Sequence, residues 1–342
     1  MIESAEKHLQ AIEDELRDIL KNEQGPYDPL YSMMRYHMGW LDSEFQPCEA
    51  PGGKRLRPIL CLLACKAVGG SWQAALPAAA AIELIHNFSL IHDDIEDHSE
   101  TRRHRPTVWH LWGIAQGVNT GDAMWAISRL ALQRLVDEGY ETDRVLRVIK
   151  RLDKACLRMC KGQYLDIHFE TVNEVPLSTY ERMIEGKTAA LLSASLAAGA
   201  VLGRAKEDIT ASYGAFGREL GMSFQIIDDL LGIWGDPDTT GKSAASDILE
   251  RKKTLPVLYA LQWERDHGHD ELARLYIGER LSQEDIPIVL ELLERADARA
   301  YTRKRAQEHH RRALKHLEAT KVENMAQETL RHITATLIGR SF

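Results

Sequence analysis

Apolar residues recur at helical spacing along most of the chain. Leu9, Ile12 and Leu16 follow this spacing near the start, and Val145 and Ile149 follow it in the middle of the sequence. Residues three or four positions apart lie on one face of an α-helix, so each stretch can bury one side. Alternating patterns of β-branched residues, which are typical of strands, are almost absent. The pattern therefore predicts an all-α protein.

Glycine and proline fall between the predicted helices, for example at Gly25-Pro26, Pro51-Gly52-Gly53 and Gly235-Asp236-Pro237. These residues commonly begin or end helices. With 342 residues the chain is long enough for two domains, but no linker rich in Ser, Gly or Pro divides it and no repeat period is visible. We therefore expect one domain, residues 1–342, built from about ten or more helices.

Two of the predicted helices, residues 72–91 and residues 189–202, are apolar nearly all round. A helix without a polar face is buried inside the fold. The composition fits a helix of the protein core, and it also fits the wall of an apolar tunnel. Both interpretations stay open at this stage.

The overall charge argues against a nucleic-acid-binding protein. The chain carries 43 Lys and Arg against 51 Asp and Glu, a net charge of −8, whereas nucleic-acid binders usually have a basic surplus. We therefore expect no nucleic-acid partner.

The start of the chain lacks the basic and apolar segments of a signal peptide, and no apolar run approaches the ~18 residues that span a membrane. We expect no membrane span and a cytoplasmic location.

A cluster of carboxylates follows the first of these apolar helices. Asp93 and Asp97 are four residues apart, so their side chains lie on one face of the helix, with Asp94 beside them. Like charges this close repel unless water or cations share them. Carboxylate oxygens suit a hard ion such as Mg²⁺, which often bridges to phosphate. The cluster fits a magnesium-bound diphosphate, and it equally fits a helix that emerges into water.

A second acidic pair, Asp228 and Asp229, stands 135 residues after the first cluster and again follows an apolar helical run. Solvated helix faces seldom place paired aspartates directly behind apolar stretches twice in one chain. Two such helices can instead supply the two sides of a metal site. The repetition favours metal binding over the solvated-helix interpretation.

Basic residues accompany both acidic clusters. The candidates are Lys54 and Arg55 in the segment GGKRLRP, Arg102 and Arg103, Lys187, Lys242, and Lys252. Each alone is typical of a solvated surface, but glycine next to lysine and arginine also suits the binding of a phosphate. The spacing around Lys54 differs from that of a P-loop, GxxxxGK[ST].

Taken in order, six segments of the chain resemble motifs of the trans-isoprenyl diphosphate synthase, or polyprenyl synthetase, family. They are GGKRLRP, LIHDDIEDHSETRRHRPTVW, NTGDAMWA, KTAALL, FQIIDDLLGIWGDPDTTGK and SDILERKKTLP, from Gly52 to Pro256. The resemblance implies a single all-α helical bundle around a deep central cavity, usually a homodimer. It implies a Mg²⁺-dependent, head-to-tail condensation of isopentenyl diphosphate with an allylic diphosphate.

The resemblance also assigns roles to individual residues. In the family two aspartate-rich motifs hold three Mg²⁺ on the allylic diphosphate, which maps here onto Asp93, Asp94, Asp97, Asp228 and Asp229. The remaining positions match as follows: Arg102, Lys187, Lys242 and Lys252 to the allylic diphosphate; Lys54, Arg55, His86 and Arg103 to isopentenyl diphosphate; Thr188 and Gln225 to the allylic cation. The released diphosphate removes the final proton, so no side-chain nucleophile is required.

The chain departs from the family in its second motif, which often reads DDxxD but here ends in Gly232. Asp236 follows four residues later. We expect the loss of this carboxylate to weaken the surroundings of a metal ion more than to abolish the reaction. The departure also admits an alternative, in which the chain is a non-catalytic subunit of a hetero-oligomeric prenyl synthase.

Product length depends in this family on the side chains one helical turn before the first motif, which form the floor of the tunnel that takes the growing chain. Phe88 and Ser89 stand five and four residues before Asp93. A single ring, a small serine and no insertion resemble synthases of the twenty-carbon geranylgeranyl diphosphate, with the fifteen-carbon farnesyl diphosphate as the alternative. Phe88 is also compatible with simple core packing.

Two further functions remain open on the sequence. A class I terpene cyclase shares the aspartate-rich chemistry, but its NDxxSxxxE pattern is not visible here and it needs no second diphosphate site. A helical scaffold protein would need neither metal nor substrate. Lys54, Arg55 and Arg103 favour a condensation of two diphosphate substrates.

Overall fold

The computed structural model describes residues 2–21, 25–235, 245–277 and 281–338. Most of these residues are helical, which confirms the predicted all-α fold. The helices are α1 (Ile2–Ile19), α2 (Asp28–His37), α3 (Leu56–Ala67), α4 (Leu76–Glu96), α5 (Val108–Trp112), α6 (Ile114–Asp137), α7 (Thr142–Thr171), α8 (Leu177–Ile184), a π-helical segment (Glu185–Ala189), α9 (Ala190–Leu202), α10 (Glu207–Trp234), α11 (Ser246–Leu249), α12 (Leu255–His267), α13 (Glu271–Ile277), α14 (Ile286–Arg295), α15 (Ala298–Ala319) and α16 (Met325–Ile338). Two short strands, β1 (Thr101–Arg102) and β2 (Arg105–Pro106), pair antiparallel.

The chain divides into two compact units. The first comprises Met1–Lys154, Ala194–Ala211 and Val322–Thr329, and the second comprises Ala155–Ser193, Ser212–Lys321 and Leu330–Phe342. Neither unit is one continuous stretch, unlike two domains joined by a linker. One domain over residues 1–342 and a deep central cavity stay predictions.

Helix α4 lies at the core of the first unit, where it packs against α1, α3, α5 and α6. It begins at Leu76, four residues later than the apolar pattern suggests, because Pro77 occupies the first turn, where a missing N–H costs nothing. The alanines at positions 78–81 are fully buried. Burial on this scale places the polar end of α4, with its aspartates, at the edge of an apolar core.

The hairpin of β1 and β2 follows α4 directly and is tied to the end of α2. The Tyr36 hydroxyl donates to the Pro106 carbonyl at 2.7 Å, and the Arg105 guanidinium donates to the Tyr36 carbonyl at 3.0 Å. Arg105 also lies over the Tyr36 ring, 4.1 Å from its centre. These contacts fix the turn that carries Arg102 and Arg103.

The second unit packs around α10 and the π-helical segment. Its apolar core includes Ile184, Ala189, Ile226 and Leu255. Helix α7 approaches the π-helical segment closely at Gly186, where a Cβ atom would lie 2.6 Å from the Arg158 carbonyl oxygen. Glycine is required at this crossing because any side chain would collide with backbone.

Candidate active site

The first aspartate cluster ends α4 in the first unit. Asp93 is partly buried and Asp97 is exposed, and Asp97 caps the helix through its backbone N–H. Asp94 is 2% exposed and accepts a hydrogen bond from Arg102 Nε at 2.7 Å. Burial raises the pKa of Asp94 to about 6, although the charge of Arg102 opposes this shift. The three carboxylates therefore differ: Asp94 has an arginine partner, whereas Asp93 and Asp97 lie nearer the surface.

These residues fit Mg²⁺ that is shared with a diphosphate. In the described ranges no three His, Cys, Asp or Glu side chains are grouped as a ready-made metal site. Mg²⁺ commonly takes only one or two carboxylates from a protein and completes its six ligands with water and substrate phosphate. Asp93 and Asp97 supply oxygen donors of that kind.

The turn before α3 and the first turn of α3 carry two arginines in different environments. Arg55 adopts a left-handed backbone conformation with φ of 48° and is only 2% exposed. Its Nε donates to Glu13 at 2.6 Å and its Nη1 donates to Glu83 at 2.9 Å and to the Gly52 carbonyl at 2.7 Å. The guanidinium predicted to bind isopentenyl diphosphate is thus already bonded to protein groups on several sides.

Arg57, two residues later, has a different surrounding. Its Nη1 lies 3.2 Å from His86 Nε2, and both side chains are partly buried. Burial, together with the charges of Arg57 and Arg103, lowers the pKa of His86 well below its usual range. A neutral imidazole among arginines is arranged to receive an anion, with Lys54 exposed on the same turn.

The two glycines of this turn fit between guanidinium groups. A Cβ atom on Gly52 would lie 2.8 Å from Arg55 Nη2, and one on Gly53 would lie 2.7 Å from Arg103 Nη2. Gly53 also has a positive φ of 96°. The absence of a side chain at Gly53 lets Arg103 approach the backbone beside Lys54.

Phe88 is 9% exposed and lies on α4 one turn before the aspartates. Its ring meets the ring of His92 edge to face, with 5.8 Å between ring centres. Ser89 is partly buried and its hydroxyl donates to the His86 carbonyl at 2.8 Å. The predicted floor residues thus share a helix with the first aspartate cluster.

In the second unit, Lys187 lies in the π-helical segment and its Nζ is 2.5 Å from Asp166 Oδ2. π-Helical segments are often found at functional sites, because the extra residue turns side chains out of the regular α-helical register. The hydroxyl of the adjacent Thr188 donates to the side-chain amide oxygen of Gln225, Oε1, at 2.7 Å. The structure therefore joins the two residues that the resemblance assigns to the cation.

Asp228 and Asp229 have different environments despite being neighbours. Asp229 is 5% exposed and accepts hydrogen bonds from the Tyr180 hydroxyl, from Leu255 N at 2.8 Å and from Gln225 Nε2 at 3.3 Å. Burial raises its pKa to about 7. Asp228 is only partly buried. Asp228 is therefore the more accessible carboxylate, and Asp229 accepts hydrogen bonds from Gln225 and from the start of α12.

The space of the missing third aspartate is filled in this unit. A Cβ atom on Gly232 would lie 2.5 Å from Asp247 Cγ, so the Asp247 carboxyl group occupies the room beside the glycine. Lys252 lies near this group, with Nζ 3.9 Å from Asp247 Oδ1 and 2.8 Å from Glu250 Oε2. Lys253, in contrast, donates to the carbonyls of Phe169 and Val172. Lys242 lies outside the described residues.

Known proteins confirm the resemblance carried by these motifs. The sequence profile of the family described as polyprenyl synthetase matches residues 39–293. The chain belongs to the polyprenyl synthetase family. It is a prenyltransferase of the trans-isoprenyl diphosphate synthase type, and no helix in the described ranges is long and apolar enough to cross a membrane.

Individual members of the polyprenyl synthetase family resemble the chain over most of its length. A geranylgeranyl diphosphate synthase of Mycobacterium tuberculosis is 43% identical over 249 residues, 73% of this chain and 70% of the relative. A (2E,6E)-farnesyl diphosphate synthase of the same species is 40% identical over 281 residues, 81% of this chain and 77% of the relative. The crystal structure of a polyprenyl synthetase from Streptomyces coelicolor A3(2) superposes with a TM-score of 0.86 at 35% identity, covering 97% and 98% of the two chains.

Several residues at the site of this prenyltransferase were not found from the sequence. They are Glu13, Glu83, Asn87, Arg57, Asp166, Tyr180 and Asp247. Glu83 carries a signal, because a charged residue within an apolar helix requires a partner. Arg57 carries a weaker one, since it follows Arg55 in the same motif. The others become visible only when distant segments pack together.

Proposed function

We propose that this prenyltransferase condenses isopentenyl diphosphate with allylic diphosphates, head to tail and with Mg²⁺, to a short-chain all-trans prenyl diphosphate. The main product we propose is geranylgeranyl diphosphate. The observation that supports the proposal is that α4 and α10 each carry an acidic cluster, and that Lys54, Arg57 and Arg103 lie at the glycine turn of the first unit. Arg102, bonded to Asp94, and Lys187, bonded to Asp166, are further basic side chains beside carboxylates. Two sets of basic residues are needed only where two diphosphates bind.

We assign Asp93, Asp97 and Asp228 to three magnesium ions that bind the allylic diphosphate, the number that the family resemblance implies. Bound Mg²⁺ neutralises the charge that develops on the leaving diphosphate oxygens. Lys187, held by Asp166, and Arg102, held by Asp94, add fixed positive charge beside that group. Lys252 and Lys242 complete the proposed set.

The allylic cation that remains after diphosphate departure needs oxygen atoms near it but no side-chain nucleophile, because the double bond of isopentenyl diphosphate attacks it. Thr188 and Gln225 are proposed to supply these oxygens, and the hydrogen bonds from Gln225 to Asp229 and from Thr188 to Gln225 hold both side chains in one orientation. The released diphosphate then accepts the proton lost from the new chain. In this assignment Asp229 orients Gln225 and does not bind metal.

The second substrate, isopentenyl diphosphate, is assigned to the first unit. Lys54, Arg57, His86 and Arg103 are proposed to bind its diphosphate, because they form one group of cationic and neutral donors around the glycine turn. Arg55 was expected here from the sequence. We propose instead that it holds the turn, since its guanidinium is bonded to Glu13 and Glu83.

We propose that the chain acts as a homodimer. Helix α6 exposes a series of large apolar side chains, including Ile114, Val118, Trp125 and Leu130, with exposed fractions from 41% to 60%. Apolar surface of this extent on one helix commonly marks a protein interface. A second copy of the same chain is the occupant proposed for it.

The decisive experiment incubates the purified chain alone with Mg²⁺, isopentenyl diphosphate and dimethylallyl diphosphate. Mass spectrometry should detect linear prenyl diphosphates with a maximum at twenty carbons, and EDTA should stop the reaction. A fifteen-carbon maximum supports the farnesyl alternative, cyclic hydrocarbons support a cyclase, and no turnover by the chain alone supports a non-catalytic subunit.

A matched pair of variants tests the role of the first aspartate cluster. Asp93→Ala should lose at least about a hundredfold in rate, because a charge-stabilising group is removed from the leaving diphosphate. Asp143→Ala, an exposed carboxylate on α7, should leave the rate unchanged. Equal rates in the two variants would contradict metal binding by Asp93 and favour a scaffold role.

A further inference from the structure

His92 is held in one position between α4 and α6, both within the first unit. Its Nε2 lies 3.2 Å from the Val118 carbonyl oxygen on α6 and 3.7 Å from Asp122 Oδ1. The imidazole therefore has a hydrogen-bond partner fixed in the backbone of a neighbouring helix. Such a bond limits the rotamers that the ring can adopt.

Gly121 leaves the space that the His92 ring fills. A Cβ atom on Gly121 would lie 2.5 Å from His92 Cδ2, closer than carbon atoms approach without displacement. Gly121 is fully inside helix α6 and buried, where glycine costs stability relative to alanine. The glycine is explained by the approach of the imidazole ring, since the helix itself does not require it.

His92 also contacts Phe88, the residue predicted to form the floor of the product tunnel. The Phe88 and His92 rings lie one helical turn apart on α4 and meet edge to face, at an interplanar angle of 82°. Edge-to-face pairs are favourable beyond the area that they bury. His92 thus supports the Phe88 ring from the side of α6.

We propose that His92 and Gly121 determine product length by holding the Phe88 ring in place. This inference rests on the proposed synthase function and on the floor role of Phe88. His92 and Gly121 are positioning residues, because they act on the growing chain through Phe88. Removal of the imidazole lets the Phe88 ring turn towards the vacated space, and a methyl group on Gly121 presses the imidazole towards Phe88.

The test compares product lengths by mass spectrometry at equal conversion. His92→Ala should raise the fraction of products that are longer than the main wild-type product at least threefold. His92→Gln retains a donor for the Val118 carbonyl and should keep a product distribution close to that of the wild type. Gly121→Ala should shift the distribution to shorter chains. Gly117→Ala is the matched control on α6, because its Cβ would meet the movable Cδ1 of Ile95 at 2.8 Å.

A double variant separates action through Phe88 from a direct effect. In the Phe88→Ala background, His92→Ala should add no further length, since the ring that it supports is absent. Two results would overturn the inference. One is a longer product from the double variant than from Phe88→Ala alone. The other is that Phe88→Ala lengthens the product while His92→Ala leaves its length unchanged. If the wild type makes no prenyl diphosphate, the proposed function itself fails. Should Gly121→Ala not fold, the His92 variants still decide the question.

Discussion

Arg55 and Glu83 form an ion pair inside the first unit, with 2.9 Å between Nη1 and Oε1 and each residue only 2% exposed. Asn87 also donates to the Glu83 carboxylate at 2.9 Å, and Arg55 donates to Glu13 on α1 at 2.6 Å. The pair therefore links the glycine turn to helices α1 and α4. Its residues lie directly beside those proposed to bind isopentenyl diphosphate.

Arg55→Ala is expected to reduce the free energy of unfolding by about 3–5 kcal/mol, because it leaves Glu83 buried without its charge partner. Arg57→Ala should change the stability by less than about 1 kcal/mol and raise KM for isopentenyl diphosphate at least tenfold. Chemical denaturation and steady-state kinetics measure the two effects. The assignment is wrong if Arg55→Ala folds as stably as the wild type and raises KM instead.

Phe88→Ala is expected to lengthen the products. Each helical turn of additional depth is about 5.4 Å, close to the reach of one isoprene unit, so products beyond twenty carbons should appear. Ser89→Ala, at the next position of α4, removes only a hydroxyl group bonded to the helix backbone and should leave chain length unchanged. Mass spectrometry of the products decides, and an unchanged length in Phe88→Ala refutes the floor assignment.

The low pKa of His86 predicts a dependence of stability on pH. The usual pKa of histidine is 6.5, so below this pH the unfolded chain binds a proton that the native imidazole does not. Stability should fall as pH decreases from 6.5, by up to about 1.4 kcal/mol per pH unit for this group, and should be independent of it at higher pH.

His86→Gln removes the titrating group and provides the comparison. Chemical denaturation of the variant and the wild type at pH 5.0, 6.0 and 7.5 should give a difference in unfolding free energy that changes in favour of the variant as the pH falls. A constant difference across this range would mean that native His86 takes up its proton as readily as the unfolded chain does.

Leu130→Glu is expected to weaken the homodimer. Leu130 is 60% exposed on α6, and a charge placed within an apolar interface must lose its water without a partner. Light scattering should give a dimer for the wild type and a monomer for the variant at micromolar concentration. Lys150→Glu, an exposed position on α7 without apolar character, serves as the control. A monomeric wild type would refute the homodimer.

The sequence by itself determined the helices, the family and the position of both aspartate motifs. Helical periodicity depends on neighbours three and four residues away, so it is visible along the chain and predicts α4 and α9 within a few residues. The motifs are likewise short, continuous segments. Their resemblance to the motifs of a known family, in the same order, sufficed to predict a prenyltransferase before any contact was known.

Only the tertiary structure decided which contacts each of two similar neighbours makes. Arg55 and Arg57 stand two residues apart, yet Arg55 meets Glu13 and Glu83 whereas Arg57 meets His86. Asp229 is buried and accepts hydrogen bonds from Tyr180 and Leu255, whereas Asp228 is only partly buried. Adjacent side chains on a helix point in directions about 100° apart. They therefore contact different segments, and these segments are distant in the sequence.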